Sequence, residues 1–122
     1  MSKNQKYQVD LSQRLIDFSI NTIQFLSRLP RRKEFNVFVD QLSKSATSIG
    51  ANYAESQASS QAEFRHRINI CLKEAKETLY WYQILKEILS DKSELFSICE
   101  HLLTESKEIS LIFGSIYQKG KK

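Results

Sequence analysis

Apolar residues recur along this chain in steps of three and four, in four separate runs, and that spacing constrains the fold more than any other feature. An α-helix turns once every 3.6 residues, so such steps stack side chains along one face. The first stripe is Leu11, Leu15, Phe18, Thr22, Phe25 and Leu29. Pro30 ends it, because proline lacks an N–H and disfavours helix at the preceding residue. The second stripe is Phe35, Phe38, Leu42, Ser45, Ile49 and Asn52. Phe64, Ile68, Cys71, Ala75, Thr78, Tyr82, Leu85 and Leu89 make the third. Leu95, Ile98, Leu102, Ser106, Ile109, Phe113 and Ile116 make the fourth.

The punctuation agrees with that division. Ser56-Gln57-Ala58-Ser59-Ser60 is a polar, small-residue loop, and Ser60 with Glu63 has the spacing of a capping box. Asp91 and Glu94 offer a second cap pair. Three glycines and one proline in 122 residues are too few turn residues for a β-rich domain. The expectation is one all-α domain over residues 1–122, an antiparallel up-down-up-down four-helix bundle with helices at about 10–29, 34–55, 61–89 and 92–118.

Two helices carry more apolar surface than one core face needs. On the third, Ile70, Trp81, Ile84 and Ile88 form a second seam, and on the first, Ile16, Ile20 and Ile23 lie off the main stripe. Surplus apolar surface predicts a subunit interface, with Ile70, Trp81, Ile84 and Ile88 as its candidate residues. The alternative is a wide core with partly exposed aromatics.

Enzymatic chemistry is hard to find. His66 and His101 are the only histidines, and neither sits in a zinc motif. A di-iron bundle needs paired Glu-x-x-His motifs. Glu63 does precede His66 by three, but Ile98 holds that place before His101, and Glu63 is better used as a cap. No catalytic residue, metal or cofactor is expected. Cys71 and Cys99 stand alone, 28 residues apart among apolar neighbours, and read as buried thiols. No apolar run reaches the length of a membrane span, and MSKNQKYQ has no secretory apolar core, so a cytoplasmic protein is expected.

Polar residues near the stripes invite a structural reading. Asn52 and Glu55 are expected to fix register or cap the end of helix two, with Lys44 or Arg67 as partner. Glu74 and Glu77 flank the third stripe, and Glu77 is assigned a structural role. The net charge of +4 permits an acidic or nucleic-acid partner without requiring one. Its cations cluster: Arg28, Arg31, Arg32 and Lys33 around the first turn, Arg65 and Arg67 at the start of helix three, and Lys119, Lys121 and Lys122 at the tail. Arg31, Arg32, Lys33, Arg65, Arg67 and the three tail lysines are the candidate nucleic-acid contacts. An up-down bundle puts the first loop and the start of helix three at opposite ends.

The stretch Lys44-Ser45-Ala46-Thr47-Ser48-Ile49-Gly50-Ala51-Asn52-Tyr53-Ala54-Glu55, followed by Glu63-Phe64, Ile68 and Cys71-Leu72-Lys73-Glu74-Ala75-Lys76-Glu77-Thr78-Leu79-Tyr80-Trp81-Tyr82, resembles a bacterial four-helix-bundle family. That family is named for intervening sequences in 23S ribosomal RNA genes and is also labelled S23 ribosomal protein. The resemblance runs from helix one to Phe113-Gly114-Ser115-Ile116. Ala54 and Lys44 stand where arginine is common, and both departures weaken the claim to a basic site on helix two. The family is similar to the accessory variability proteins of diversity-generating retroelements. By that likeness the resemblance implies a homo-oligomeric ring, with a pentamer favoured, and partners such as RNA, DNA or a reverse transcriptase. The functional expectation is a non-enzymatic oligomer binding structured RNA or DNA through basic surfaces; the alternative is a protein–protein scaffold without nucleic-acid contact.

Overall fold

The computed structural model describes the backbone of residues 3–120 and the side chains of residues 10–120. Four helices account for nearly all of it: α1 Lys3–Leu26, α2 Asn36–Ser56, α3 Gln61–Ile88 and α4 Glu94–Lys119, with a 3₁₀ turn at Lys33–Phe35. No strand occurs among the described residues.

Helix ends differ from expectation where local chemistry offers a better stop. α1 starts at Lys3, well before residue 10, since no glycine or proline interrupts residues 3–9. It closes at Leu26, and a tight turn in which the Leu29 N–H donates to the Leu26 carbonyl (3.2 Å) still buries Leu29. The Ser60 hydroxyl accepts from the Glu63 N–H at 3.4 Å and caps α3. At α4 the cap is Ser93 rather than Asp91: its hydroxyl accepts from the Phe96 N–H at 3.1 Å. Glu94 then falls in the first turn, where the helix dipole favours a carboxylate.

Each helix packs on two others: α1 on α2 and α4, and α3 on α2 and α4. Ser45 meets Thr78, Ile49 meets Cys71 and Asn52 meets Arg67, so numbers fall along α3 as they rise along α2. Arg14 with Glu105 and Arg28 with Glu94 repeat that relation between α1 and α4. α1 packs against α2 at Gly50, where an added Cβ would sit 3.4 Å from the Leu15 Cβ.

The stripes meet in one core containing Leu15, Phe18, Phe25, Leu42, Ile49, Ile68, Leu85, Ile109 and Phe113. Its middle is partly polar. Tyr82, fully buried, packs near Phe18 and Phe25 and donates its hydroxyl to Thr22 Oγ1 at 2.7 Å. The Thr78 and Ser45 hydroxyls lie 2.9 Å apart, with Thr78 donating to the Glu74 carbonyl at 2.8 Å, and Ser106 donates to the Leu103 carbonyl. These stripe hydroxyls are buried yet partnered, which removes the penalty of desolvating them. Burial pushes the Tyr82 phenol above its usual range and the Cys71 and Cys99 thiols up to about 12. Both cysteines are free, and their thiols face the carbonyls of Ile49 and Tyr82.

Candidate nucleic-acid interface

The helix directions sort the cations into two ends. The Arg28–Glu94 ion pair (3.0 Å) places the α1–α2 connection beside the start of α4. Arg31, Arg32 and Lys33 sit on that connection, all exposed. Arg32 lies over the Phe35 ring at 5.4 Å, and its Nε is 3.8 Å from Glu34. Phe35 is buried and anchors the segment, while Leu26, Leu29 and Pro30 help line an adjoining hollow of about 500 Å³.

At the opposite end, α3 begins where α4 stops. The Arg65 guanidinium covers the Tyr117 ring at 4.5 Å, and the Arg65 side chain lies 3.8 Å from where a Cβ on Gly120 would project. Lys119, exposed, is in the last turn of α4. Lys121 and Lys122 lie outside the described residues. The fold thus brings Arg65 and Lys119 to one end and keeps Arg31, Arg32 and Lys33 at the other. Tyr117 gave no signal of this role in the sequence, because its partner is 52 residues away and the fourth stripe bypasses it.

Arg67 behaves differently from Arg65. Two residues along a helix are about 200° apart around its axis, so the two arginines leave α3 on different sides. Arg67 Nη2 pairs with Glu55 at 2.9 Å and Nη1 donates to Asn52 Oδ1 at 3.0 Å. Asn52 in turn donates to the Ser48 carbonyl (2.9 Å) and hydroxyl (3.0 Å). Asn52, half-buried, and Glu55, exposed, therefore tie α2 to α3 through Arg67, and Lys44 takes no part. Exposed Glu77 accepts from the Trp81 indole N–H at 3.4 Å. Neighbouring Glu74 is held above the usual carboxylate range by desolvation and then by the charge of Glu77.

The second seam of α3 is only partly open. Trp81 sits edge-on to Phe38 (6.0 Å between centroids), and with Ile84 it packs against the core. Ile70 is half-buried, and only Ile88, 51% exposed, stands clear. Open aliphatic surface is greater on α1, where Ile16, Ile20 and Ile23 are 50%, 47% and 45% exposed.

Between α1 and α4 runs an acidic groove of about 470 Å³ that includes Asp10, Asp17, His101 and Glu105. Arg14 is clamped there by Glu105 (2.6 Å) and Glu108 (2.6 Å), and the hydrogen bond to Glu105 leads the influences that raise its pKa. No group of three or more His, Cys, Asp or Glu among the described residues could hold a metal ion. No helix among them is long and apolar enough to cross a membrane.

The sequence model for "23S rRNA-intervening sequence protein" matches residues 7–111, a span that reaches into all four helices. The chain belongs to that family. A crystal structure from Bacteroides thetaiotaomicron, described as a protein with unknown function from the S23 ribosomal protein family, is similar throughout. It shares 29% identity with a TM-score of 0.77, over 91% of this chain and 97% of that one. Among curated proteins no match was found. In this family member the matched span includes Arg31, Arg32, Lys33 and Arg65 but stops short of Tyr117 and Lys119.

Proposed function

We propose that this 23S rRNA-intervening sequence family protein is a non-enzymatic, up-down-up-down bundle that self-associates and binds the phosphate backbone of structured RNA or DNA with its two ends. One contrast carries the reading. The cations that bridge helices are already neutralised: Arg14 by Glu105 and Glu108, Arg28 by Glu94, Arg67 by Glu55, and Lys86 by Glu100. Among the described residues, Arg31, Lys33, Arg65 and Lys119 make no ion pair; Lys44, Lys73, Lys76, Lys92 and Lys107 make none either, and what sets the first four apart is that they gather at the ends of the helices. Unneutralised lysine and arginine side chains attract phosphates without reading bases.

Self-association strengthens the effect, because each subunit repeats the same clusters and raises the local field. Ile88 on α3 and the Ile16, Ile20 and Ile23 stripe on α1 are the apolar surfaces that favour it, most simply in a closed ring, with five subunits as the number the family resemblance implies. The same isoleucines support the second reading, a protein–protein scaffold. Light scattering of Ile88→Glu tests the assembly: a smaller particle with unchanged helix content is expected. A wild type that is monomeric at micromolar concentration contradicts it.

Mobility-shift titration at low salt with structured RNA, single-stranded DNA and duplex DNA tests the binding. Complexes are expected at or below about 10 µM, within reach of non-specific phosphate contacts. Absence of all three complexes transfers the function to the scaffold reading.

A further inference from the structure

We propose that the pocket between the start of α3 and the end of α4 is a discrete seat for one phosphate group, built around Arg65 and resting on the nucleic-acid reading above. The pocket is an open hollow of about 710 Å³, and Gln61, Arg65, His66, Asn69, Tyr117 and Gly120 line it. Its polar lining offers a guanidinium, an imidazole and two carboxamides, and no carboxylate. Such a wall suits an oxyanion, with no negative charge to repel it.

Arg65 is the unusual member. It makes no hydrogen bond or ion pair among the described residues, and its Nε is buried without a partner. The guanidinium carbon lies over the ring of Tyr117 instead, 4.5 Å from its centroid. A guanidinium carries five N–H donors in a rigid fork that matches two phosphate oxygens at once. Here the guanidinium rests over an aromatic ring and takes no hydrogen-bond or ion-pair partner among the described residues, on the wall of a hollow large enough for a phosphate with its sugar. The opposite end also has a hollow and an arginine over a ring, Arg32 on Phe35 at 5.4 Å, but Arg32 approaches Glu34 at 3.8 Å and no side-chain nitrogen among the described residues there is buried without a partner. The seat thus gives the Arg65 end a geometric demand that loose charge does not have.

That demand separates Arg65→Lys from simple charge removal. Lysine keeps the charge but supplies a point donor with no planar fork. The experiment measures affinity for a short single-stranded RNA in wild type, Arg65→Lys, Arg65→Gln and Lys119→Gln. A parallel NMR titration of wild-type protein uses inorganic phosphate alone and, separately, a polyglutamate peptide. Expected are a loss of about tenfold for both Arg65 variants, a loss of only about two- to threefold for Lys119→Gln, and phosphate-induced shifts at Arg65 Nε–H and Tyr117. RNA binding that survives Arg65→Lys, with those signals unmoved by phosphate, overturns the seat and leaves the broader nucleic-acid reading intact. Absence of RNA binding in wild type overturns that reading, and the phosphate titration then decides the seat by itself. Polyglutamate shifting the same signals at lower concentration than phosphate overturns the seat in favour of an acidic protein ligand.

Discussion

The middle of this bundle and its ends use polar groups in opposite ways. In the middle, Thr22, Ser45, Thr78, Tyr82 and Ser106 are buried and every hydroxyl has a partner within the chain. At the ends, Arg31, Lys33 and Lys119 are exposed and take no ion-pair partner among the described residues. Buried, satisfied groups set which helix faces meet and at what register. Exposed, unsatisfied cations add little to folding and remain available to a ligand. The groups that stabilise the fold and the cations proposed to bind thus lie at different positions along the helix axes.

That separation breaks most visibly in the middle. Tyr82→Ala removes a fully buried ring and the hydrogen bond to Thr22, and a loss of about 3–5 kcal/mol is expected in urea unfolding. Nucleic-acid affinity of the folded fraction should be unchanged. A pH scan probes the same region. The thiols of Cys71 and Cys99 ionise near 9 when unfolded but near 12 when folded, so folding favours the neutral form. Their contribution is complete below pH 9 and is lost as pH rises towards 12. Unfolding midpoints should therefore drop over that window, and Cys71→Ala/Cys99→Ala should flatten the drop. Both thiols should also resist alkylation at about pH 8 until the chain unfolds, because neither is exposed.

Asn52→Ala sharpens the comparison at its border. It leaves Arg67 with Glu55 alone and removes two bonds to Ser48, so a loss of about 1–3 kcal/mol is expected, at the low end because the site is half-buried. Affinity measured on the folded variant should hold. A stable Asn52→Ala protein that no longer binds nucleic acid would move Asn52 into the binding surface.

The stripes made most of the fold legible in the sequence. Their spacing located four helices, and even the polar stripe members Thr22, Ser45, Thr78 and Ser106 proved to be core residues. Periodicity reports which face turns inward, whatever the chemistry of the side chain. It says less about helix ends, where a single hydroxyl decides, and so Ser93 displaced Asp91 as the α4 cap. It also misjudges a crowded helix: Trp81 and Ile84 read as a free seam, yet a wide core absorbs part of both. The cation clusters were visible as composition. Their sorting into paired Arg67 and unpaired Arg65, two residues apart, depends on the angle between them and on partners from α2 and α4. No local pattern encodes that.

The smallest effect on stability belongs to the ends, and it carries the largest consequence for function. Arg31→Ala/Arg32→Ala should change unfolding free energy by less than about 0.5 kcal/mol, since both side chains are exposed and their one ion pair among the described residues is the 3.8 Å approach of Arg32 to Glu34. The decisive measurement is the salt dependence of RNA affinity in wild type and this double variant. The account predicts that log affinity falls linearly with log salt. The variant's slope should be shallower by about one to two units, because each phosphate that is no longer neutralised removes roughly 0.7 to 0.9. An identical slope in the two proteins, or a wild-type affinity indifferent to salt, would contradict it.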